Sequence, residues 1–451
     1  MRKLFFLISA LVISATMMAN DHVMAATKSQ ESRVKSQETL SLSLQEAQNY
    51  AVRQNRSLKN ASLAVQEAYA QRWQTIASML PSADASYAYN DYFGYTSILS
   101  MKNPFTGEQM ETPISMPNVG AFTVTAAVGI NGQAIVGALL NNVAIEMKKI
   151  ALEKSESELR SSITSSYVSV LALRSISNLL DSSLNNIENL ERMTQDAVNV
   201  GTAEQTAADQ IHVRVNTLKN SINVQKRNIE LATNSLKVLL DVPVETELVL
   251  TESIDEVLSP EKVLNLLSQN FAVENNLNYQ LLAKQVELAK RNVHMAGWAY
   301  GPTLALAYNY TNQQYYGEGG MRMTPPNVIQ VSVKMPLWSS GKRAAGVVEK
   351  KIALEEAKNT LSETTDNLAI QYRQLCFDLT NAYETYMNEK ENIEVTQRVF
   401  RSTTEKYKWG AASNLELTNA SNDLINAQST YVQAMLSLVN AQAELEEFLN
   451  K

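Results

Sequence analysis

Two hydrophobic rhythms alternate along this chain. The first steps by three and four. Leu417, Ala420, Leu424, Ala427, Tyr431, Ala434, Leu438, Ala441, Leu445 and Phe448 follow it without a break. So do Ile211, Val215, Leu218, Ile222, Ile229, Ala232, Leu236 and Leu239, with Gln225 as the polar exception. Such a stripe predicts long helices joined by a coiled-coil seam. Two runs of 63 residues, Ala138–Val200 and Val347–Trp409, contain neither Gly nor Pro. As helices they would span roughly 95 Å at 1.5 Å per residue, far beyond an ordinary globular helix.

The second rhythm has period two. Ala83, Ala85, Tyr87 and Tyr89 alternate with Asp84, Ser86, Ala88 and Asn90. Phe122, Val124, Ala126, Val128 and Ile130 alternate with Thr123, Thr125, Ala127 and Gly129. Further on, Leu304, Leu306, Tyr308 and Tyr310 form one set, and Ile329, Val331, Val333, Met335 and Leu337 another. Four strands of about ten residues are predicted, each with one apolar and one small or polar face. That is the pattern of membrane strands. Phe122, Val124, Val128, Leu304, Leu306, Val331 and Val333 are the expected lipid-facing positions, with tyrosines and Trp338 as an interfacial girdle.

The rhythms recur in the same order twice. Gly132 and Gly341, Gly137 and Gly346, and Gly201 and Gly410 are each separated by 209 residues. The chain is therefore read as an internal duplication. The hexapeptide KKIALE occurs at Lys148–Glu153 and Lys350–Glu355, 202 apart, one heptad short of that offset. It reports the seven-residue repeat of the helices; the glycines report the duplication.

The expected organisation follows. Residues 1–25 form a signal peptide, with a basic start, an apolar stretch and small residues before Ala25, and 26–40 a polar tail. The first repeat, 41–240, comprises a helix, strands near 82–92 and 120–131, a long helix near 133–199, a turn at 201 and a helix over 203–240. Residues 241–259 link the repeats. The second repeat, 260–451, has a helix, strands near 302–312 and 327–338, a long helix near 342–408, a turn at 410 and a helix over 413–450.

Composition adds exclusions. The net charge of −7 becomes −8 once Arg2, Lys3 and Asp21 leave with the signal, which argues against nucleic acid as a partner. Cys376 is the single cysteine, so packing must hold the fold. Glycine (15) and proline (10) are scarce, as long helices require. No catalytic signature appears: His212 and His294 lie in different helices, and no HExxH, CxxC, GxSxG or phosphate loop is present. No enzyme activity, cofactor or metal is expected.

Four strands cannot close a barrel, and lipid does not tolerate open sheet edges. The expected fold class is therefore mainly α with a shared membrane β-barrel. In a homotrimer each subunit gives four strands to a twelve-stranded barrel, wide enough for a lumen, and long helices to a coiled-coil barrel. The loops Gly94–Asn118 and Asn312–Asn327 would face outside. The competing reading is an exported trimeric coiled-coil stalk or adhesin without a membrane barrel.

The residues that choose between these are short runs in a fixed order: Val200–Asp209 (VGTAEQTAAD), Leu239–Pro243 (LLDVP), Met335–Arg343 (MPLWSSGKR) and Tyr407–Leu417 (YKWGAASNLEL). Together with the duplicated layout, the chain resembles the TolC-like outer-membrane efflux proteins over essentially its whole mature length. The resemblance implies an outer-membrane exit duct with a long periplasmic portion. It would pass drugs, metals, other toxic compounds or proteins from a periplasmic adaptor and an inner-membrane transporter. It also implies that the turns at Gly201 and Gly410 form the periplasmic tip and gate. Glu416 and Asn419 stand where the family often has two acids after the second glycine. In the first repeat the nearest acids are Glu204 and Asp209, and Tyr407 stands at a tip tyrosine. The implied gate ring is thus one Glu416 per subunit. Residues 241–259 would join an equatorial belt.

Overall fold

The computed structural model describes residues 39–102, 104, 105, 107–254, 260–316 and 325–450. The expected signal, most of the polar tail, residues 255–259 of the linking segment and 317–324 of the second loop lie outside them.

The first repeat contains strand β1 (Leu40–Leu42), helices α1 (Leu44–Gln54) and α2 (Arg56–Ala77), strands β2 (Ser82–Asn90), β3 (Thr96–Lys102), β4 (Gln109–Ser115) and β5 (Asn118–Asn131), then α3 (Gly132–Asn199) and α4 (Gln205–Leu239). After β6 (Leu248–Leu250) the second repeat supplies α5 (Pro260–Leu267), α6 (Leu277–Gly297), β7 (Thr303–Tyr316), β8 (Asn327–Lys334), α7 (Lys342–Lys408) and α8 (Asn414–Phe448). The protein is mainly helical, and α3 and α7 run through 68 and 67 residues.

The coiled-coil stripe is the buried face. Ile211, Val215, Leu218 and Ile222 of α4 and Leu417, Leu424, Leu438 and Leu445 of α8 are almost wholly covered. Gln225, the polar exception, is buried too, and its Nε2 donates to Leu173 O of α3 at 3.0 Å. That bond satisfies a group whose burial unpaired would be costly.

The duplication reaches single hydrogen bonds. Asn55 separates α1 from α2, where the sequence suggested one helix. Its Oδ1 caps α2 by accepting from Ser57 N at 2.8 Å, while its Nδ2 donates to Leu239 O at 2.9 Å. In the second repeat Asn276 caps α6 through Asn278 N at 2.9 Å and donates to Phe448 O at 3.0 Å. Each asparagine thus starts one helix and satisfies a carbonyl at the end of another. Asn55 and Asn276 are 221 apart, as are Pro81 and Pro302, whereas Leu239 and Phe448 are 209 apart. The second segment from that proline to the long helix is shorter by that difference of twelve residues.

The core has two parts. The larger gathers α1, α3, α4, α7 and α8 around Tyr167, Leu236, Leu379, Leu438 and the leucines of β1 and β6. There β1 and β6 pair in parallel, Leu40↔Leu248 to Leu42↔Leu250. The Tyr167 hydroxyl donates to Leu42 O at 3.0 Å, and burial pushes its pKa above the usual phenol value. The smaller cluster lies toward the helix turns and joins Ile187, Leu190, Ile211, Leu218, Phe400, Leu417 and Leu424.

The main sheet has the order β2-β5-β7-β8, all antiparallel, with β2 and β8 as open edges. Several bounds differ from expectation. β7 continues to Tyr316 because β5 partners it as far as Asn118. β2 stops at Asn90, and β8 stops at Lys334, opposite the first residue of β7, rather than at 338. The tail expected to reach residue 40 gives way to β1. The first loop is more than a tip: β3 and β4 form a separate hairpin, Thr96↔Ser115 to Lys102↔Gln109.

Candidate functional site

Two regions combine chemistry with exposure: the paired helix turns and the four-stranded sheet. At each turn a glycine ends the long helix in the left-handed region, Gly201 at φ 80° and Gly410 at φ 70°. The same bonds close both. Thr202 N reaches Ala197 O at 2.9 Å, and Ala411 N reaches Lys406 O at 2.8 Å. This is the glycine-capped helix end, in which the residue after the glycine bonds back five positions. A Cβ at either glycine would meet nothing within 4 Å. The requirement is therefore conformational rather than one of space.

The acids expected at the tip are held locally. The Glu416 carboxylate accepts from Ser413 N at 2.7 Å, while Ser413 Oγ accepts from Glu416 N at 3.2 Å. This reciprocal capping box starts α8. Asn419 is exposed one turn on. Glu204 precedes α4 without capping its backbone and accepts from Thr206 Oγ1 at 3.1 Å. Asp209 accepts from Gln205 Nε2 at 2.9 Å. Among the described residues no hydrogen bond or ion pair joins these four side chains to one another.

Tyr407 is placed differently. Half-buried near the end of α7, it packs on the smaller core cluster, with its hydroxyl 3.5 Å from Thr194 Oγ1 of α3. It joins one helix pair to the other. The sequence reading missed Thr194, although Ile187, Leu190 and Thr194 continue the stripe on α3 and only the last is polar. It also missed Arg214, whose Nη1 donates from α4 to Thr418 O on α8 at 3.3 Å. Burial draws the Arg214 pKa below the ordinary arginine value, and the guanidinium stays charged at neutral pH. Glu191 pairs with His212 Nδ1 at 2.6 Å, and Lys219 with Glu188 at 2.9 Å, both lacing α3 to α4. Val200 and Trp409 stand out at the turns, Trp409 being 85% exposed.

In the sheet, the register puts the seven expected lipid-facing residues on one face. Tyr87 lies opposite Phe122, and Ala85, Val124 and Tyr310 form a row. Val128, Leu306 and Val331 form another, and Ile130, Leu304 and Val333 a third. Val331 and Val333 are about two-thirds exposed in the subunit, at 67% and 68%. The opposite face is polar: Thr125 Oγ1 donates to Asn309 Oδ1 at 2.8 Å, Thr123 and Thr311 lie 3.4 Å apart, and Ser332 and Gln330 continue it. No described helix is long and apolar enough to cross a membrane. The sheet carries the membrane-strand pattern instead.

Comparison with known proteins fits this geometry. Residues 270–451 match the family model described as outer membrane efflux protein. The chain is 22% identical over 285 residues to the outer membrane efflux protein BepC of Brucella suis, covering 62% of this chain and 60% of that one. It is 20% identical over 311 residues to TtgC of Pseudomonas putida, a probable efflux pump outer membrane protein, covering 66% and 62%. The matches thus span about three-fifths of these relatives' length. Among solved structures, VceC of Vibrio cholerae superposes with a TM-score of 0.69 at 14% identity, covering 90% of this chain and 96% of that one. The MtrE channel of Neisseria gonorrhoeae gives 0.70 at 15%, covering 93% of each. The second repeat thus resembles the outer membrane efflux proteins in sequence, and the fold of the chain is that of the solved VceC and MtrE channels.

Proposed function

We propose that the chain is the exit duct of an efflux or secretion system, working as a homotrimer. A single observation carries the reading. The apolar sheet face has both edges open, and it stands on long helices folded like those of known outer-membrane channels. Open edges in lipid demand closure, and three subunits of four strands supply it. The adhesive-stalk alternative leaves the apolar sheet face unexplained. A periplasmic adaptor would meet the turns around Gly201 and Gly410, and an inner-membrane transporter would drive cargo through. Relatives from Pseudomonas putida are named for toluene and antibiotic efflux. The corresponding cargo here is small toxic molecules such as drugs or metals, with proteins as the secretion variant. The test is native mass after mild detergent extraction of outer membranes. A trimer confined to the detergent-soluble membrane fraction is expected; a monomer, or a trimer soluble without detergent, would return the chain to the stalk reading.

The gate reading of Tyr407 and Glu416 belongs to this proposal. Tyr407→Phe removes the hydroxyl facing Thr194 and leaves the ring. It should raise antibiotic leakage through a resting duct. For Glu416 two variants separate charge from capping. Glu416→Gln keeps a residue able to complete the capping box but removes the charge that would form a ring of three. Glu416→Ala loses both, with about 1 kcal/mol of helix capping. Leakage raised by both assigns the gate to charge; leakage raised only by Ala assigns it to the helix start. Unchanged leakage in all three variants would remove these residues from the gate.

A further inference from the structure

The β3–β4 hairpin has no part in the duct described so far. Its register, Thr96↔Ser115 to Lys102↔Gln109, sorts the side chains onto two faces. Ser97, Leu99 and Met101 share one face with Met110, Thr112 and Ile114, so four of its six positions are apolar. The other face carries Thr96, Ser100, Lys102, Gln109, Glu111 and Ser115, with Ile98 and Pro113 among them. Leu99, Met101, Met110 and Ile114 are 43–59% exposed. Every position of both strands except Ser97 is exposed. A lone two-stranded ribbon is marginal in water, and a contiguous apolar patch on it marks a contact surface.

A built joint sets the hairpin on the sheet. The last β2 pair is Asn90↔Val119, and the hairpin begins where Met116 N donates to Tyr95 O at 3.1 Å. Residues 91–94 lie between these points on the outgoing strand, and only 117 and 118 on the returning one. Tyr95 N closes a turn on Tyr92 O at 2.9 Å, with φ 52° at Phe93 and 70° at Gly94. Positive φ at both central residues marks a type I′ turn, uncommon for a phenylalanine. Asp91 Oδ1 accepts from Phe93 N at 2.8 Å. Asn118 Oδ1 accepts from Tyr92 N at 2.9 Å, and its Nδ2 donates to the Tyr89 hydroxyl at 3.2 Å. Tyr89 meets Tyr316 edge-on, with ring centroids 5.8 Å apart.

We infer that the apolar face of this hairpin lies on the lipid surface around the barrel mouth. The inference rests on the barrel reading above and adds a second lipid contact to it. Two observations choose lipid. The first is level. Tyr89 and Tyr316 stand on the apolar side of the sheet at the end away from the helices, where interfacial aromatics mark the edge of the bilayer. The joint is hydrogen-bonded to Tyr89, so the hairpin leaves the sheet at the bilayer surface. The second is phase. Odd residues of β2 and even residues of β5 form the apolar side of the sheet, and odd residues of β3 and even residues of β4 form that of the hairpin. The two extra residues of the turn keep the alternation in phase; one extra would put it out of phase.

The opposite course, inward over the mouth, would set Leu99 and Met101 toward the polar side that carries Thr123, Thr125 and Asn309, which offers an apolar face nothing. On lipid the ribbon gains the surface it lacks. It then lies in the interface as an amphipathic helix does, with Lys102 and Glu111 kept in water on the upper side. Two of its four apolar contacts are methionines, flexible side chains that adapt to an irregular surface.

Spin labels test the placement in the full-length protein carrying Cys376→Ser, reconstituted into vesicles of phosphatidylethanolamine and phosphatidylglycerol. Met101→Cys labels the apolar face of the hairpin, Ser100→Cys its polar face, and Leu306→Cys the middle of the sheet. Each nitroxide is read for relaxation by oxygen, which concentrates among acyl chains, and by a water-soluble nickel chelate. Oxygen should dominate at Met101 and Leu306, and nickel at Ser100. Nickel dominating at Met101 while oxygen dominates at Leu306 would leave the hairpin in water, overturning the inference with the barrel standing. A Met101 label reached by neither reagent would mean that protein covers this face, a second copy or another partner, and would overturn it as well. Oxygen dominating at both Met101 and Ser100 would overturn the assignment of faces. Nickel dominating at Leu306 would overturn the barrel reading, and this inference with it.

Discussion

Leu306→Arg should abolish recovery of the protein from the outer membrane, whereas Gln330→Arg should be tolerated. Leu306 sits between Val128 and Val331 in the middle of the sheet, on the apolar face. Gln330 lies on the opposite face of the adjacent strand, across from Ala307. An arginine facing lipid near the bilayer midplane costs about 2–4 kcal/mol. Threefold symmetry would multiply that cost to ~6–12 kcal/mol per assembly, comparable to the whole stability of an ordinary domain. An arginine facing a water-filled lumen keeps its hydration and changes selectivity instead. The readout is trimer yield in the detergent-soluble membrane fraction for both variants. Equal recovery would mean that the apolar face does not meet lipid, and the barrel reading would fall with it.

The reach of the sequence was uneven, for physical reasons. Long helices and their turns are legible because one glycine in a run of helix formers has few explanations, and at Gly201 and Gly410 the positive φ supplies the reason. The alternation on the four main strands is legible because each has one apolar and one polar face. The β3–β4 hairpin is not. Its facing residues mix Met101 with Met110 and Leu99 with Thr112, and Pro113 interrupts the run, so neither face is consistently apolar. β1 and β6, with three residues each, are too short to show a period. The break at Asn55 is hidden because the asparagine acts through a carbonyl 184 positions away. At the tip, Ser413 and Glu416 carry the spacing of a capping box.

Gly132→Ala is expected to destabilise the protein through a single side chain, and the proof lies in its rescue. Gly132 opens α3 directly after β5. A Cβ there would lie 2.1 Å from Trp298 Cε3, 2.2 Å from Cδ2 and 2.8 Å from Cγ. Because Cγ is among these atoms, the indole cannot yield by moving its far edge; the whole ring must leave the slot between Gly132 and Gly301. Forced displacement costs about 1–3 kcal/mol in a packed core, which is the upper bound here because Trp298 is half exposed. Its sequence counterpart Gly341 has φ 82° and nothing within 4 Å of a Cβ, so Gly341→Ala meets only the left-handed penalty of ~1–2 kcal/mol. Two glycines in equivalent places thus serve different needs, one space and the other conformation. Trp298→Ala separates them. In that background Gly132→Ala should cost close to nothing, while Gly341→Ala should cost as much as before. Thermal unfolding of the detergent-solubilised protein, read across the two double-mutant cycles, measures the coupling. If Gly132→Ala costs the same with and without the indole, steric conflict with Trp298 is not the reason for glycine at the strand–helix junction.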